Sequence, residues 1–128
     1  MTKFLLALTI AALSIPLAQA NEPKTREVVV SINDAYVPSG FDSYSDAFVV
    51  VNGIFPNSCY RLKDTQVEHV GPALHEITTY ATVTEGMCLM VLLPFNKEAR
   101  LGRLQAGEHK LHFMNGDGTY MERSLVVE

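Results

Sequence analysis

Glu76-Ile-Thr-Thr-Tyr-Ala-Thr-Val-Thr84 is the stretch of sequence that decides the fold class. In an extended strand, Ile77, Thr79, Ala81 and Val83 fall on one face, and Tyr80 and the other threonines fall on the opposite face. Alternation of this kind, in a run rich in β-branched and aromatic residues, indicates a half-buried strand. The run therefore predicts a sheet that packs one face against a core.

Similar short runs lie on both sides of this strand, and Gly, Pro, Asn and Asp separate them. Asn115-Gly116-Asp117-Gly118 is the strongest hairpin signal, because Asn and Gly readily adopt the positive φ angles of a tight turn. About seven short strands without a convincing long helix predict an all-β fold, a single antiparallel β-sandwich, with a small closed barrel as the alternative. The other strands are predicted at residues 27–32, 47–55, 59–63, 87–93, 108–114 and 119–127, with a strand or turn at 95–104.

Residues 1–20 have the layout of a bacterial secretory signal peptide. Lys3 supplies the basic start, residues 4–13 the apolar stretch, and Ala18-Gln19-Ala20 the small-residue cleavage site. The apolar stretch is too short for a stable membrane span. We therefore expect a β-sandwich domain over residues 21–128 that is exported to the periplasm or secreted and does not insert into a membrane after signal cleavage.

Charge restricts the partners further. The chain carries 14 acidic and 10 basic residues, and the basic residues form no cluster in the sequence. Nucleic acid, which is bound chiefly through basic patches, is therefore not an expected partner.

The two cysteines, Cys59 and Cys88, are predicted to form one disulfide, since an even pair in a small exported domain is typical of a structural bridge. Such a bridge would close a loop of about 30 residues and stabilise the fold by roughly 3.5 kcal/mol. Both cysteines lie in apolar, strand-like runs, so we expect the bridge to be buried in the core. The absence of a C-x-x-C motif argues against thioredoxin-like redox chemistry.

A family resemblance covers residues 47–127. The run from Leu101 to Gly116, Leu-Gly-Arg-Leu-Gln-Ala-Gly-Glu-His-Lys-Leu-His-Phe-Met-Asn-Gly, resembles the closing hairpin of small exported immunoglobulin-like β-sandwich domains. Phe55-Pro-Asn-Ser-Cys-Tyr60, followed by Cys88 and Pro94-Phe95, is similar to segments of bacterial secreted proteins of that kind. The resemblance implies a fold and no activity.

Methionine and histidine side chains offer a possible metal site on the last predicted hairpin. Thioether and imidazole are ligands that suit copper. His112 and Met114 share a strand face, and a two-residue turn would place Met121 opposite His112. These three residues are the candidate copper ligands. The alternative is that the methionines fill gaps in the core and the histidines lie on a solvated face.

The segment 33–46 joins the first two predicted strands and carries three aromatic residues among polar ones. Tyr36, Phe41 and Tyr44 are candidate partner-binding residues, because rigid rings with Ser and Gly are typical of recognition loops. Two alternatives stay open. The rings could pack back onto the edge of the sandwich, or the acidic residues could hold calcium, although the loop lacks the usual calcium-binding pattern.

Catalytic signatures are missing from the sequence, which contains no G-x-S-x-G, no H-E-x-x-H and no phosphate-binding loop. We therefore expect no enzyme, no catalytic residues and no cofactor, with copper as the one possible exception. The leading hypothesis is an exported binding or accessory protein of the bacterial envelope that acts through contacts with a protein partner. The alternatives are a periplasmic copper-binding protein and a small secreted inhibitor.

Overall fold

The computed structural model describes residues 14–16 and 23–128. Most of the predicted signal peptide lies outside these residues. Between residues 23 and 128 the chain forms eight strands, and no helix there is long and apolar enough to cross a membrane. The strands are β1 Thr25–Val30, β2 Asp34–Tyr36, β3 Ala47–Phe55, β4 Tyr60–Gly71, β5 Leu74–Thr84, β6 Leu93–Gly102, β7 Gly107–Met114 and β8 Tyr120–Val127.

Two sheets make up the sandwich. The first contains β4, β5, β7 and β8, with β1 beside the half of β5 that β7 does not reach. The second contains β2, β3 and β6 in that order. Because β4 and β6 lie at the edges of their sheets, they border one open side of the sandwich, where Thr65 of β4 lies near Glu98 of β6. All strand pairs are antiparallel except β5 with β7, which is parallel.

The core consists of the inward faces of both sheets. The alternation that predicts β5 is matched by its burial, since Ile77, Thr79, Ala81 and Val83 are all buried. The same alternation buries Phe113, which is 1 % exposed, on β7. The buried cluster also contains Ala47, Val49, Val51, Ala99, Leu101, Leu104, Leu111, Leu125 and Val127.

The predicted all-β sandwich with one disulfide is confirmed, with three local differences. Residues 87–92 form a connection, so the strand predicted at 87–93 is wrong, and β6 begins at Leu93 and continues through Pro94. The segment predicted as a loop contains the short strand β2. The parallel pairing of β5 with β7 departs from the expected all-antiparallel arrangement, because no hairpin joins these two strands.

Gly53 of β3 is a buried position at which any side chain would meet a neighbour. It pairs with Phe95 of β6, and a methyl group added to Gly53 would overlap the Phe95 ring. That ring is stacked on Phe55 with ring centres 4.3 Å apart, so it has little freedom to move away.

Gly53→Ala is therefore expected to lower the free energy of unfolding by about 1–3 kcal/mol, the usual cost of overpacking a core. Urea denaturation followed by circular dichroism measures this change. Gly71→Ala is the matched control, since a Cβ at Gly71 meets no atom within 4 Å. Equal stabilities of the two variants would contradict the prediction.

Candidate functional site

The connection between β5 and β6 exposes an uncharged apolar segment, residues 87–92, which we call the apolar loop. Except for Cys88, its side chains project into solvent, with Met90 83 % and Leu92 72 % exposed. Ile54 and Leu93 extend the exposed apolar surface along the paired ends of β3 and β6. A soluble monomer rarely exposes contiguous apolar side chains of this kind, and such a patch commonly marks an interaction site.

A disulfide and two hydrogen bonds hold the apolar loop against the turn between β3 and β4. The disulfide joins Cys88 of the loop to Cys59, with 5.3 Å between their Cα atoms. Next to it, Ser58 donates its backbone N–H to the Leu89 carbonyl at 3.0 Å, and the Leu89 N–H donates to the Ser58 hydroxyl at 2.7 Å. The exposure of the loop is therefore compatible with a fixed backbone.

The predicted pairing of Cys59 with Cys88 is confirmed, but the prediction of a bridge buried in the core is wrong. Both cysteines are half-buried, because Cys88 lies in the apolar loop and Cys59 ends the turn before β4. The bridge therefore fixes a surface connection at the end of the sandwich.

The structure separates the three aromatic residues of the segment 33–46. Phe41 is half-buried, packs against the core and lies edge-to-face with Phe48 at 5.5 Å between ring centres. Tyr36 and Tyr44 are exposed. Phe41 therefore packs back onto the sandwich, which was one of the two alternatives. The side chains of Tyr36 and Tyr44 remain available for contact with a partner. Asp42 closes a local turn, and a hydrogen bond from the Ser45 hydroxyl lowers the pKa of its carboxyl.

The candidate copper ligands do not lie together. Phe113 pairs with Met121 across β7 and β8, while His112 pairs with Glu122. Residues 115–119 connect β7 to β8, whereas the prediction assumed a two-residue turn. The pairing is therefore shifted by one residue, which places Met121 on the core side. His112 and Met114 share the opposite face, where His112 Nε2 lies 2.9 Å from Glu122 Oε2. The structure therefore does not bring His112, Met114 and Met121 together on one face as the copper prediction assumed.

Three other histidine side chains lie in one hydrogen-bonded row, which we call the histidine chain. His69 Nδ1 lies 2.6 Å from His75 Nδ1, and His75 Nε2 lies 2.8 Å from His109 Nδ1. His109 Nε2 ends the row 2.6 Å from the Gln105 carbonyl oxygen. His75 and His109 are 2 % and 1 % exposed, whereas His69 is exposed.

The histidine chain borders two clefts. A small cleft of about 180 Å³ is lined by His69, His75, Arg103 and the β4–β5 turn. A larger open cleft of about 650 Å³ lies between β4 and β6, and His69 lines it as well. Burial, together with the neighbouring imidazoles of His69 and His109, lowers the pKa of His75 to about 4. The buried ring is therefore neutral at pH 7.

The histidine and carboxylate side chains of the described residues do not form a metal centre. Within residues 14–16 and 23–128, no group of three or more His, Cys, Asp or Glu side chains is placed to hold a metal ion. In the histidine chain, the two nitrogens of His75 point at different neighbours, so the three rings do not converge on one centre.

Sequence reasoning missed both the histidine chain and the apolar loop. The alternation of β5 and β7 carries a signal for the chain, because His75 shares the parity of Ile77, and His109 shares that of Leu111 and Phe113. The apolar loop gave no such signal, since an unbroken apolar run is also typical of a buried strand.

Comparisons with curated proteins and with solved structures found no match. One family model, described as the ORF11 beta-sandwich domain, matches residues 49–125. The match runs from β3 into β8 and includes the apolar loop, both cysteines and the whole histidine chain. Because it covers more than half of the chain and agrees with the observed architecture, the chain belongs to the ORF11 beta-sandwich domain family.

Proposed function

We propose that this chain is an exported, immunoglobulin-like binding module of the bacterial envelope, without enzymatic activity, that docks onto a protein partner through its apolar loop. The exposed and braced run at residues 87–92 carries the proposal. The sequence of residues 1–20 supports export, and a disulfide is typical of proteins that fold in an oxidising compartment.

The shape of the apolar loop indicates what kind of surface it fits. Side chains as exposed as those of Met90 and Leu92 project from the protein, so a partner must surround them with a concave apolar surface to remove them from water. Because the disulfide and the hydrogen bonds between Ser58 and Leu89 already order the backbone, binding loses less conformational entropy than it would with a mobile loop.

Charge favours a protein partner over a lipid surface. Segments that lie on anionic membranes usually combine apolar residues with Lys or Arg. Residues 87–95 contain no charged residue, and the chain carries a net charge of −4. The same projecting loop supports inhibition as a second candidate function, because a braced loop can fill the cleft of an enzyme.

A photo-crosslinking experiment in an exporting bacterium tests the proposal. The full-length gene is expressed with a photoactivatable residue at Met90, and the mature N-terminus is checked by mass spectrometry for the expected start at Asn21. We expect discrete protein adducts that Leu92→Asp reduces at least about tenfold, since burying one charge against an apolar surface costs more than 1.4 kcal/mol.

The control places the crosslinker at Val126, which is also exposed and apolar but lies on β8. Adducts of equal yield from both positions, or adducts that Leu92→Asp leaves unchanged, would show that the apolar loop is not the docking surface. Binding to phosphatidylglycerol vesicles that Leu92→Asp abolishes would replace the protein partner with a membrane. Crosslinks solely to a second copy of the chain would replace it with self-association.

A further inference from the structure

The hydrogen bonds of the histidine chain determine where each ring carries its proton. A carbonyl oxygen can only accept, so His109 must carry a proton on Nε2 and donate it to Gln105. When all rings are neutral, His109 Nδ1 then accepts from His75 Nε2–H, and His75 Nδ1 accepts from His69 Nδ1–H. The acceptor left at the end of the row is Nε2 of the exposed His69.

Counting protons shows how much charge the histidine chain tolerates. Three neutral rings carry three ring protons, and each forms one of the three hydrogen bonds. One additional proton fits at the free His69 end, and the charge can then lie on any of the three rings without loss of a hydrogen bond. A second additional proton has no acceptor within the chain and forces two N–H groups to face each other.

The surroundings oppose that second proton. The small cleft beside His75 presents Arg103, and none of the described residues lining it is a carboxylate. Among the described residues that line the two clefts, only Asp64 and Glu98 are carboxylates. Both line the larger cleft, which His69 also borders, together with Lys97 and Arg100. A single additional proton can lie on His69, whose side chain is exposed to water, whereas a second charge must lie on the rings of His75 and His109, which are buried.

The histidine chain joins two parts of the protein that would separate if its hydrogen bonds broke. His69 and His75 face each other across the β4–β5 hairpin, and Gln105 belongs to the connection between β6 and β7. The chain therefore fastens the end of this hairpin to that connection, over the small cleft. A neighbouring backbone hydrogen bond, from Lys110 N–H to the Ala73 carbonyl at 2.8 Å, lies at the same place.

We propose that the histidine chain is a proton-sensitive latch that remains closed with one additional proton and opens the small cleft when it receives a second. Closed, the latch holds the β4–β5 hairpin on the β6–β7 connection. Open, it exposes the buried imidazoles and lets the hairpin move away. An exported protein meets external changes of pH directly, so such a latch would make this end of the sandwich responsive to acid.

The direction of the pH effect follows from His75. Its pKa in the closed chain is about 4, below the ordinary histidine value of 6.5. Between these values the open form binds more protons than the closed form, so the closed form loses relative stability as the pH falls through this window. The stabilising contribution is complete above pH 6.5 and is lost at about pH 4.

Amide hydrogen exchange of the folded protein, measured by NMR between pH 7 and pH 4, tests the latch. After correction for intrinsic exchange, the protection of the Lys110 amide is expected to fall by up to about 300-fold, since each unit of pKa shift corresponds to a factor of ten. The Asn33 amide, which donates to Asn52 at 2.7 Å in the other sheet, is the internal reference and is expected to keep its protection. Unchanged protection of Lys110, or an equal loss at both amides, would overturn the proposal.

Substitutions of single histidines test whether the histidine chain causes the pH-dependent loss of Lys110 protection. His75→Phe removes the central ring, so the protection of Lys110 is expected to become independent of pH. His112→Gln is the matched control, because His112 lies outside the chain and contacts Glu122 and Tyr120, and it should leave the response intact. If His75→Phe does not fold, the wild-type comparison of Lys110 with Asn33 still decides the question.

Discussion

Phe113→Ala is expected to lower the free energy of unfolding by about 3–5 kcal/mol, the usual cost of removing a buried aromatic ring and leaving a cavity. Phe113 is almost completely buried in the centre of the first sheet, where it pairs with Ile77 on one side and Met121 on the other. Rigid strands surround it on both sides, so the core cannot easily collapse into the space.

Chemical denaturation of Phe113→Ala, compared with wild type at the same pH, measures this loss. Tyr44→Ala is the matched control, because it also removes an aromatic ring but from a side chain that is 82 % exposed, and it should change the stability by less than about 0.5 kcal/mol. A loss below about 1 kcal/mol for Phe113→Ala would show that this ring does not occupy the centre of the core.

Replacing Cys59 and Cys88 together by serine is expected to reduce the free energy of unfolding by about 3.5 kcal/mol. The bridge connects residues 29 positions apart, and the dominant effect of its loss is a larger conformational entropy of the unfolded chain. The fold itself should persist, since β3 and β6 remain paired from Phe55 with Leu93 onward and the hydrogen bonds between Ser58 and Leu89 do not depend on sulfur.

Thermal unfolding of the double variant under oxidising conditions measures the effect, with wild type in reducing agent as the control that should reach the same stability. A variant as stable as the oxidised wild type would contradict this expectation. Because the bridge also orders the apolar loop, the double variant should give weaker crosslinks from Met90 than the oxidised protein does. That second result connects the disulfide to docking as well as to stability.

The sequence predicted strands where one face of the strand is buried and the other face is exposed to solvent. Short runs rich in β-branched and aromatic residues between turn residues predicted β3, β7 and β8 close to their observed bounds, and clear alternation predicted β5. The strand prediction failed for residues 87–92, since an apolar run without alternation contains no information about which side is wet. It also failed for Met121, where one additional residue in the connection reverses the face.

The histidine chain shows why the candidate site was harder to predict than the fold. Alternation alone places His75 and His109 on buried faces, but their contact requires the parallel pairing of β5 with β7, in which His75 lies opposite Leu111. The pairing with His69 requires the register of the β4–β5 hairpin. These relations join residues as far as 34 positions apart, and no local pattern encodes them.

By itself, the sequence determined an all-β sandwich and the pairing of its two cysteines, because local periodicity and the small number of cysteines leave few alternatives. The tertiary structure alone decided which side chains meet. In the structure, the disulfide lies at the surface and not in the core, and the apolar loop is exposed. The candidate copper ligands lie apart, and three histidines from different strands form one hydrogen-bonded row. The physical reason is that sheet register and pairing order arise from the packing of the whole core, whereas the alternation of a strand is a property of the strand alone.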